Sequence, residues 1–408
     1  MKSLKWCTIA VAVALLIVWG SQAQDWNIQS VASGPDSSRN RVLEPDIAVD
    51  ADGVVYISYI DQAANAIKLL QMKGDERATT GLVRDTGRVA GTSVAVSSTL
   101  VCVAWEELSD ESGVQEVWQV CWEKPIADDA APTVEPWRLS TEEVIAGQAD
   151  GAGWGEFGLN FDNAFAPDGT LYAVWTEDYA ALKVGKYKDG ALSACGDLPP
   201  LPITDAPNRY PTVYVDNDGG VWVAVGDVSY PPGPNIWVWY SGDQCATWTQ
   251  PVDVTPTGLY SDGVGLVRLG DKLYVTYDED QGADPGTANI EVSVCDATPD
   301  GPANCVRKVA HKKGGFPHIA TDGKGLYVVS TNEGELKFSY SCDAGETWTP
   351  ANIPNGFNLG FRDPDFGAAL SRPRVATNAG SPNVYVVWLW RTEGKSNIML
   401  GTLPKPCQ

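Results

Sequence analysis

Apolar and polar residues alternate along most of this chain in short runs with a period of two, the signature of half-buried β-strands. No long stretch carries the 3.6-residue period of a helix. Seven times an apolar run is followed by a tight polar turn and a second apolar run, at residues 45–59, 93–105, 163–175, 211–223, 265–277, 317–329 and 373–388. In the first, Ile47 and Val49 precede the turn Asp50-Ala51-Asp52-Gly53, and Val55, Ile57 and Tyr59 follow it. With Ile47, Val94, Asn163, Val213, Gly265, His318 and Arg374 as markers, the spacings are 47, 69, 50, 52, 53 and 56 residues. A repeat of about 50 residues is the size of one four-stranded propeller blade.

Second hairpins follow the first ones, at 115–123 and 136–140, at 235–240 and 247–254, and at 289–295 and 305–310. The seventh unit runs out after 397–402 without a fourth strand, while residues 25–31 have no hairpin partner. Pairing these two closes the ring and removes two open sheet edges. The expected fold is therefore all-β, a single seven-bladed β-propeller over residues 24–408, with Trp26 in the outer strand of the last blade.

Residues 1–23 read as a signal peptide, with Lys2 and Lys5, an apolar run from Trp6 to Trp19, and the small-residue site Ser21-Gln22-Ala23. That run is short for a membrane span, and no later one is long enough, so no transmembrane segment is expected. Export to an extracellular or periplasmic space is disulfide-permissive, and eight cysteines remain after Cys7 is removed with the leader. A net charge of −23 excludes nucleic acid and anionic membrane as partners, since both need a basic patch. Histidine occurs only as His311 and His318, which argues against a His-rich metal or haem site.

The octet 341–348, with Ser341, Asp343, Gly345 and Trp348, recurs at 241–248 with Ser241, Asp243 and Trp248, and with Cys245 in the glycine slot. Asp343 can accept from amides ahead of it and Gly345 can take φ > 0, so both octets predict hairpin turns. Ser-x-Asp-x-Gly-x-Thr-Trp resembles the Asp-box, or bacterial neuraminidase repeat, of sialidase-like β-propellers. In that family the box is a structural turn away from the active site, and six blades is the usual count and here the alternative to seven. The register that sets Cys102 opposite Cys121 also sets Trp105 opposite Trp118, and Cys295 and Cys305 flank one turn, so both pairs are expected as disulfides within a blade. Cys245 and Cys342 lie inside the Asp-box turns, and Cys195 and Cys407 are their expected partners in neighbouring blades.

In an up-and-down blade with strands A to D, the D-to-A and B-to-C connections share one face of the ring, around the mouth of the axial channel. Loops on a rigid scaffold are where binding groups accumulate. The D-to-A connections carry Arg41, Glu44, Arg209, Tyr210, Phe316, Arg362 and Arg372, and the B-to-C connections carry Glu177, Asp178 and Asp278. The family resemblance implies recognition of a carboxylate by three arginines, the first in an Arg-x-Pro motif. Arg209-Tyr210-Pro211 matches that motif, though in the fourth unit where the family has it in the first; Arg372-Pro373 and Arg41…Pro45 are looser echoes. The resemblance also implies a tyrosine nucleophile backed by a glutamate, and Tyr210, Tyr260 and Tyr179 with Glu177 and Asp178 all fit without one being selected. Two functions follow. The leading one is a secreted module that binds a glycan or protein ligand without chemistry of its own; the other is a polysaccharide-active hydrolase or lyase at the same mouth. No cofactor is expected. Acidic runs at 278–284 and 363–365 raise calcium, but they lack the spacing and glycine of a calcium loop.

Overall fold

The structure is a computed structural model that describes residues 25–36, 42–85, 87–109, 115–140, 161–177, 181–202, 208–227, 235–255, 260–280, 288–332, 335–357, 372–392 and 394–407. The signal-peptide reading of residues 1–23 lies outside them. Seven four-stranded antiparallel sheets are arranged as a ring, giving a seven-bladed β-propeller without a helix among the described residues. The innermost strands A are Val42–Val49, Gly87–Val96, Phe161–Phe165, Asn208–Val215, Tyr260–Leu269, Gly315–Thr321 and Arg374–Ala376 in blades 1 to 7. Each contacts the next, and together they wall an axial channel of about 300 Å³.

Ring closure follows the expected route. Asn27–Pro35 pairs antiparallel with Lys395–Pro404 as the fourth strand of blade 7, from Asn27 opposite Thr402 to Pro35 opposite Lys395. Trp26 packs edge-on against Phe338 of blade 6, with ring centroids 5.2 Å apart. The core is distributed between blades, not at the axis; Trp105, Trp122, Trp222, Trp239 and Trp388 are its largest fully buried side chains. Cys102 lies opposite Cys121 and Trp105 opposite Trp118, the two indoles stacked at 6.4 Å. Disulfides Cys102–Cys121 and Cys295–Cys305 lie within blades 2 and 5, whereas Cys195–Cys245 and Cys342–Cys407 tie blade 3 to 4 and blade 6 to 7.

Away from the mouth, polar turns lock neighbouring blades. Asp50 Oδ1 accepts from the amides of Asp52 and Val54 at 3.0 and 2.9 Å, and Oδ2 accepts from Tyr56 and from Lys124 of the next blade at 3.2 and 2.6 Å. Asp216 repeats this arrangement with Trp222 and Arg268 of blade 5, and Asp322 with Tyr327 and Lys405 of blade 7. Burial opposes ionisation of Asp50 and Asp322, yet the bonds from Lys124 and Lys405 and from the turn amides hold both carboxyls below their usual range. The octets at 241 and 341 form equivalent turns. In each, the serine hydroxyl donates to the aspartate at 2.8 Å, and the aspartate accepts the threonine amide at 2.9 Å. Gly345 is left-handed at φ 84°, and Cys245 holds the same place at φ 64°.

Replacing Trp26 by alanine strips the Phe338 contact at the seam where the ring closes. Trp26→Ala should therefore lower the unfolding free energy by roughly 2 kcal/mol, measured by urea denaturation. An unchanged midpoint would mean that the N-terminal segment does not hold the ring shut.

Candidate functional site

The inner strands start with a shared irregularity. In blades 1, 2, 4, 5 and 6 the A–B register slips just before mid-strand, and one residue at each slip is left-handed. These are Glu44 (φ 49°), Gly91 (58°), Tyr210 (58°), Gly263 (64°) and Phe316 (52°). A bulge of this kind re-aims the strand and its side chains. Three of the five precede proline, at Pro45, Pro211 and Pro317, and Arg372 precedes Pro373 in blade 7. Side chains from separate blades thus meet at the rim of the channel.

Arg372 is the centre of that meeting. Its guanidinium carbon lies 3.8 Å from the centroid of the Tyr210 ring and 4.6 Å from that of Phe316, so it crosses from blade 7 to blades 4 and 6. The two rings meet edge-to-face at 6.3 Å. Stacking on aromatic faces leaves the N–H edge of an arginine in the plane where it recognises oxygen. Asp278 accepts the Phe316 amide at 3.2 Å and fixes one side of the rim to blade 5.

Glu44 is the unusual charge. Both of its carboxyl oxygens are buried without a hydrogen bond of ordinary geometry. Burial pushes its pKa up to about 8, Glu106 pushes the same way, and the Gly91 amide and Arg372 offset part of the effect. At neutral pH it is a protonated acid that can donate.

Two residues past the left-handed position, a second layer crosses the blade interfaces: Asp46, Ser93, Thr212, Gly265 and His318, with Asp162 and Arg374 in the matching places. Asp46 accepts the Val94 amide at 2.8 Å and meets Arg374 Nε at 3.4 Å. Asp162 accepts from Ser93 and Thr212 hydroxyls at 2.8 and 2.7 Å. His318 Nδ1 accepts the Val375 amide at 3.3 Å; burial, with Arg374 and Arg372, pushes its pKa down to about 3, so it is neutral. Asp46 is raised to about 6, chiefly by burial. Gly265 leaves the layer without a side chain; an added Cβ would sit 2.8 Å from Thr276 Cγ2 and 3.1 Å from the Ile319 amide nitrogen.

Of the residues singled out from the sequence, Tyr210, Arg372 and Asp278 come together at the rim. Arg209 pairs opposite Gly226 through its backbone, and its side chain lies outside the described residues, as do Arg41 and Asp178. Glu177 is buried at the end of its strand, where it accepts from Trp175 Nε1 at 2.9 Å. The Arg-x-Pro search pointed at the arginine, whereas the rim position is the residue before proline. That repeated X-Pro at blade openings is the signal that sets Glu44, Tyr210 and Phe316 apart from the other residues of the same connections. Among the described residues no group of three or more His, Cys, Asp or Glu side chains is placed to hold a metal ion. The side chain of Asp280, with Asp284, Asp363 and Asp365, lies outside them.

No protein-family model and no curated protein matches the chain. Solved propellers do resemble it. An ulvan lyase bound to -[GlcA(1-4)Rha3S]- aligns with a TM-score of 0.58 at 9% identity, over 92% of this chain and 95% of that one. The polysaccharide lyase Uly1 gives 0.56 at 10% identity, over 92% and 99%. An α-L-arabinanase of Penicillium chrysogenum, complexed with arabinobiose, gives 0.50 at 12% identity, over 92% and 98%. At such identities the likeness is one of fold.

Glu44 makes folding depend on pH. Below about pH 4.5 it is protonated in both the folded and unfolded chain; from there to about pH 8 only the folded chain keeps the proton, so stability falls as pH rises. Glu44→Gln should remove that slope and gain on the parent protein by a few kcal/mol between about pH 5 and about pH 8.5. Urea unfolding at a series of pH values tests this, and parallel curves for the two proteins would refute it.

Proposed function

We propose that this chain is an exported propeller that binds a glycan at the mouth of its axial channel. The observation that carries this reading is the convergence of Arg372, Tyr210 and Phe316 from three blades into one stacked group. Aromatic faces suit the apolar face of a sugar ring, and a fork of arginine N–H groups suits its hydroxyls or a carboxylate. The likeness in fold to propellers that act on or hold saccharides supports the choice of ligand class. From the sequence alone Arg209, Arg41, Glu177, Asp178 and Asp278 are added as contributors around the same mouth. The turns at Ser241 and Ser341 are read as Asp boxes with a structural role, and residues 1–23 as the leader that directs export.

A second reading, polysaccharide cleavage, is favoured by one specific group. Glu44 is held protonated at neutral pH near Arg372, the condition a general acid requires. Binding and catalysis therefore differ in what Glu44 does.

A glycan array with parallel turnover assays on acidic and neutral polysaccharides separates them. Under the binding reading, Arg372→Lys and Tyr210→Ala weaken glycan capture by roughly tenfold or more while melting temperature holds within a few degrees, and no product appears. Turnover that Glu44→Gln abolishes with binding retained would establish the enzyme instead. Capture unchanged in both Arg372→Lys and Tyr210→Ala would remove the mouth as the site.

A further inference from the structure

The outer edge of blade 5 differs from the rest of the ring. Its fourth strand, Gly301–His311, is the longest outer strand among the described residues, 11 residues against nine in blades 6 and 7, eight in blade 1, five in blade 2, four in blade 3 and two in blade 4. It is the last strand of its sheet, so among the described residues nothing pairs with its outer side. An edge of this length offers a row of backbone donors and acceptors to any extended chain. The Cys295–Cys305 disulfide holds its first half against the neighbouring strand, so the edge is preorganised.

Its side chains are equally unusual. Val306 and Val309 are 55% and 44% exposed, two of only four large hydrophobic residues so exposed among the described residues. Residues 301–321 carry Arg307, Lys308, Lys312 and Lys313 and no acid, in a chain of net charge −23. Arg307 is engaged by the buried Glu279 at 2.8 Å and Lys308 by Glu346 at 2.8 Å. Lys312 and Lys313 are exposed on the connection that follows, with no ion pair among the described residues.

We propose that this strand is a docking edge for an extended acidic peptide segment of another protein, added as a fifth antiparallel or parallel strand to blade 5. Backbone hydrogen bonds supply affinity in such an addition, and alternate side chains supply selection. Val306 and Val309 lie on opposite faces of the strand, so apolar residues of the incoming segment meet the valine that shares their face, and its carboxylates meet Lys312 and Lys313 beyond the strand end. A second copy of this chain is disfavoured as occupant. Antiparallel self-pairing centred between Arg307 and Lys308 would set each opposite the other in the second copy, and like charges opposite one another destabilise a sheet. The edge lies on the circumference of the ring, so a bound peptide leaves the channel mouth open.

The test uses the full-length mature protein and a fluorescein-labelled peptide of four Glu-Val repeats, followed by fluorescence anisotropy. Binding is expected, weakening steeply between about 50 mM and about 500 mM salt. It should fall by roughly tenfold or more in Val306→Glu/Val309→Glu and in Lys312→Glu/Lys313→Glu, both surface changes whose folding is checked by melting temperature. A peptide of four Glu-Pro repeats has the same charge but lacks alternate N–H donors, so it cannot add as a strand and should not bind. Equal binding of the Glu-Pro peptide, or dextran sulfate bound as well as the Glu-Val peptide, would mean a surface that reads charge alone and would overturn the proposal. Absence of Glu-Val binding at the lowest salt would overturn it as well.

Discussion

Everything in this molecule rests on the antiparallel seam between Asn27–Pro35 and Lys395–Pro404. A propeller blade is apolar on both faces and is stable only between two neighbours, so six complete blades and one three-stranded blade would leave apolar surface and two strand edges in water. Supplying the missing strand from the opposite end of the chain makes the ring covalently and spatially continuous. Other contacts reinforce the same region: Asn378 donates to Val49 O at 2.9 Å, Val42 N donates to Ser396 Oγ at 3.0 Å, and Cys342–Cys407 ties the C-terminal end to blade 6. The channel keeps its diameter because this seam does not open.

Between blades, apolar packing is supplemented by buried polar groups that have specific partners. At the end away from the mouth, Asp50, Asp216 and Asp322 each use one oxygen on their own turn and the other on an aromatic residue and a cation of the next blade. Partnered carboxylates avoid the large cost of an isolated buried charge. The same arrangement in blades 1, 4 and 6 also fixes the angular setting of blades 2, 5 and 7. At the inner layer Asp46, Asp162 and His318 accept from the following blade, and at Gly265 an added Cβ would crowd Thr276 of its own blade and the Ile319 backbone of the next.

The sequence made some of this plain and hid the rest for physical reasons. Strand alternation is a local property, so blade number, the Trp105 and Trp118 register and the N-terminal closure could all be read from periodicity. The fourth strand of blade 4 could not: only Val252–Asp253 pairs, although residues 247–254 look strand-like, because Trp248 leaves the sheet and donates to Gly196 O in blade 3. The rim was hidden for a related reason. Each inner-strand bulge shifts the side-chain order by one residue, and a shift of one sends every later side chain to the opposite face. Arg209 was singled out by its Arg-x-Pro spacing and its side chain lies outside the described residues, whereas Tyr210 beside it stands at the rim. Glu44 and Phe316 could be placed on the connections at the mouth, but not the burial of the Glu44 carboxyl, which depends on Gly91, Glu106 and Arg372 in other blades.

The rim also departs from what the scaffold alone would favour. A left-handed position costs least when it is glycine, and blades 2 and 5 use glycine there, at Gly91 and Gly263. Blades 1, 4 and 6 place glutamate, tyrosine and phenylalanine in the same conformation, at a cost on the order of 1 kcal/mol or more each. Glu44 adds the burial of a carboxyl that the Gly91 amide and Arg372 compensate only in part. Asp50 and Asp322, by contrast, are held below their usual range by their partners. Left-handed backbone positions and a buried acid thus coincide at one end of one channel, around the arginine that bridges three blades. Such a coincidence does nothing for the stability of the ring. Local strain of this kind persists only where the surrounding packing fixes it, and here the ring supplies that packing from three blades.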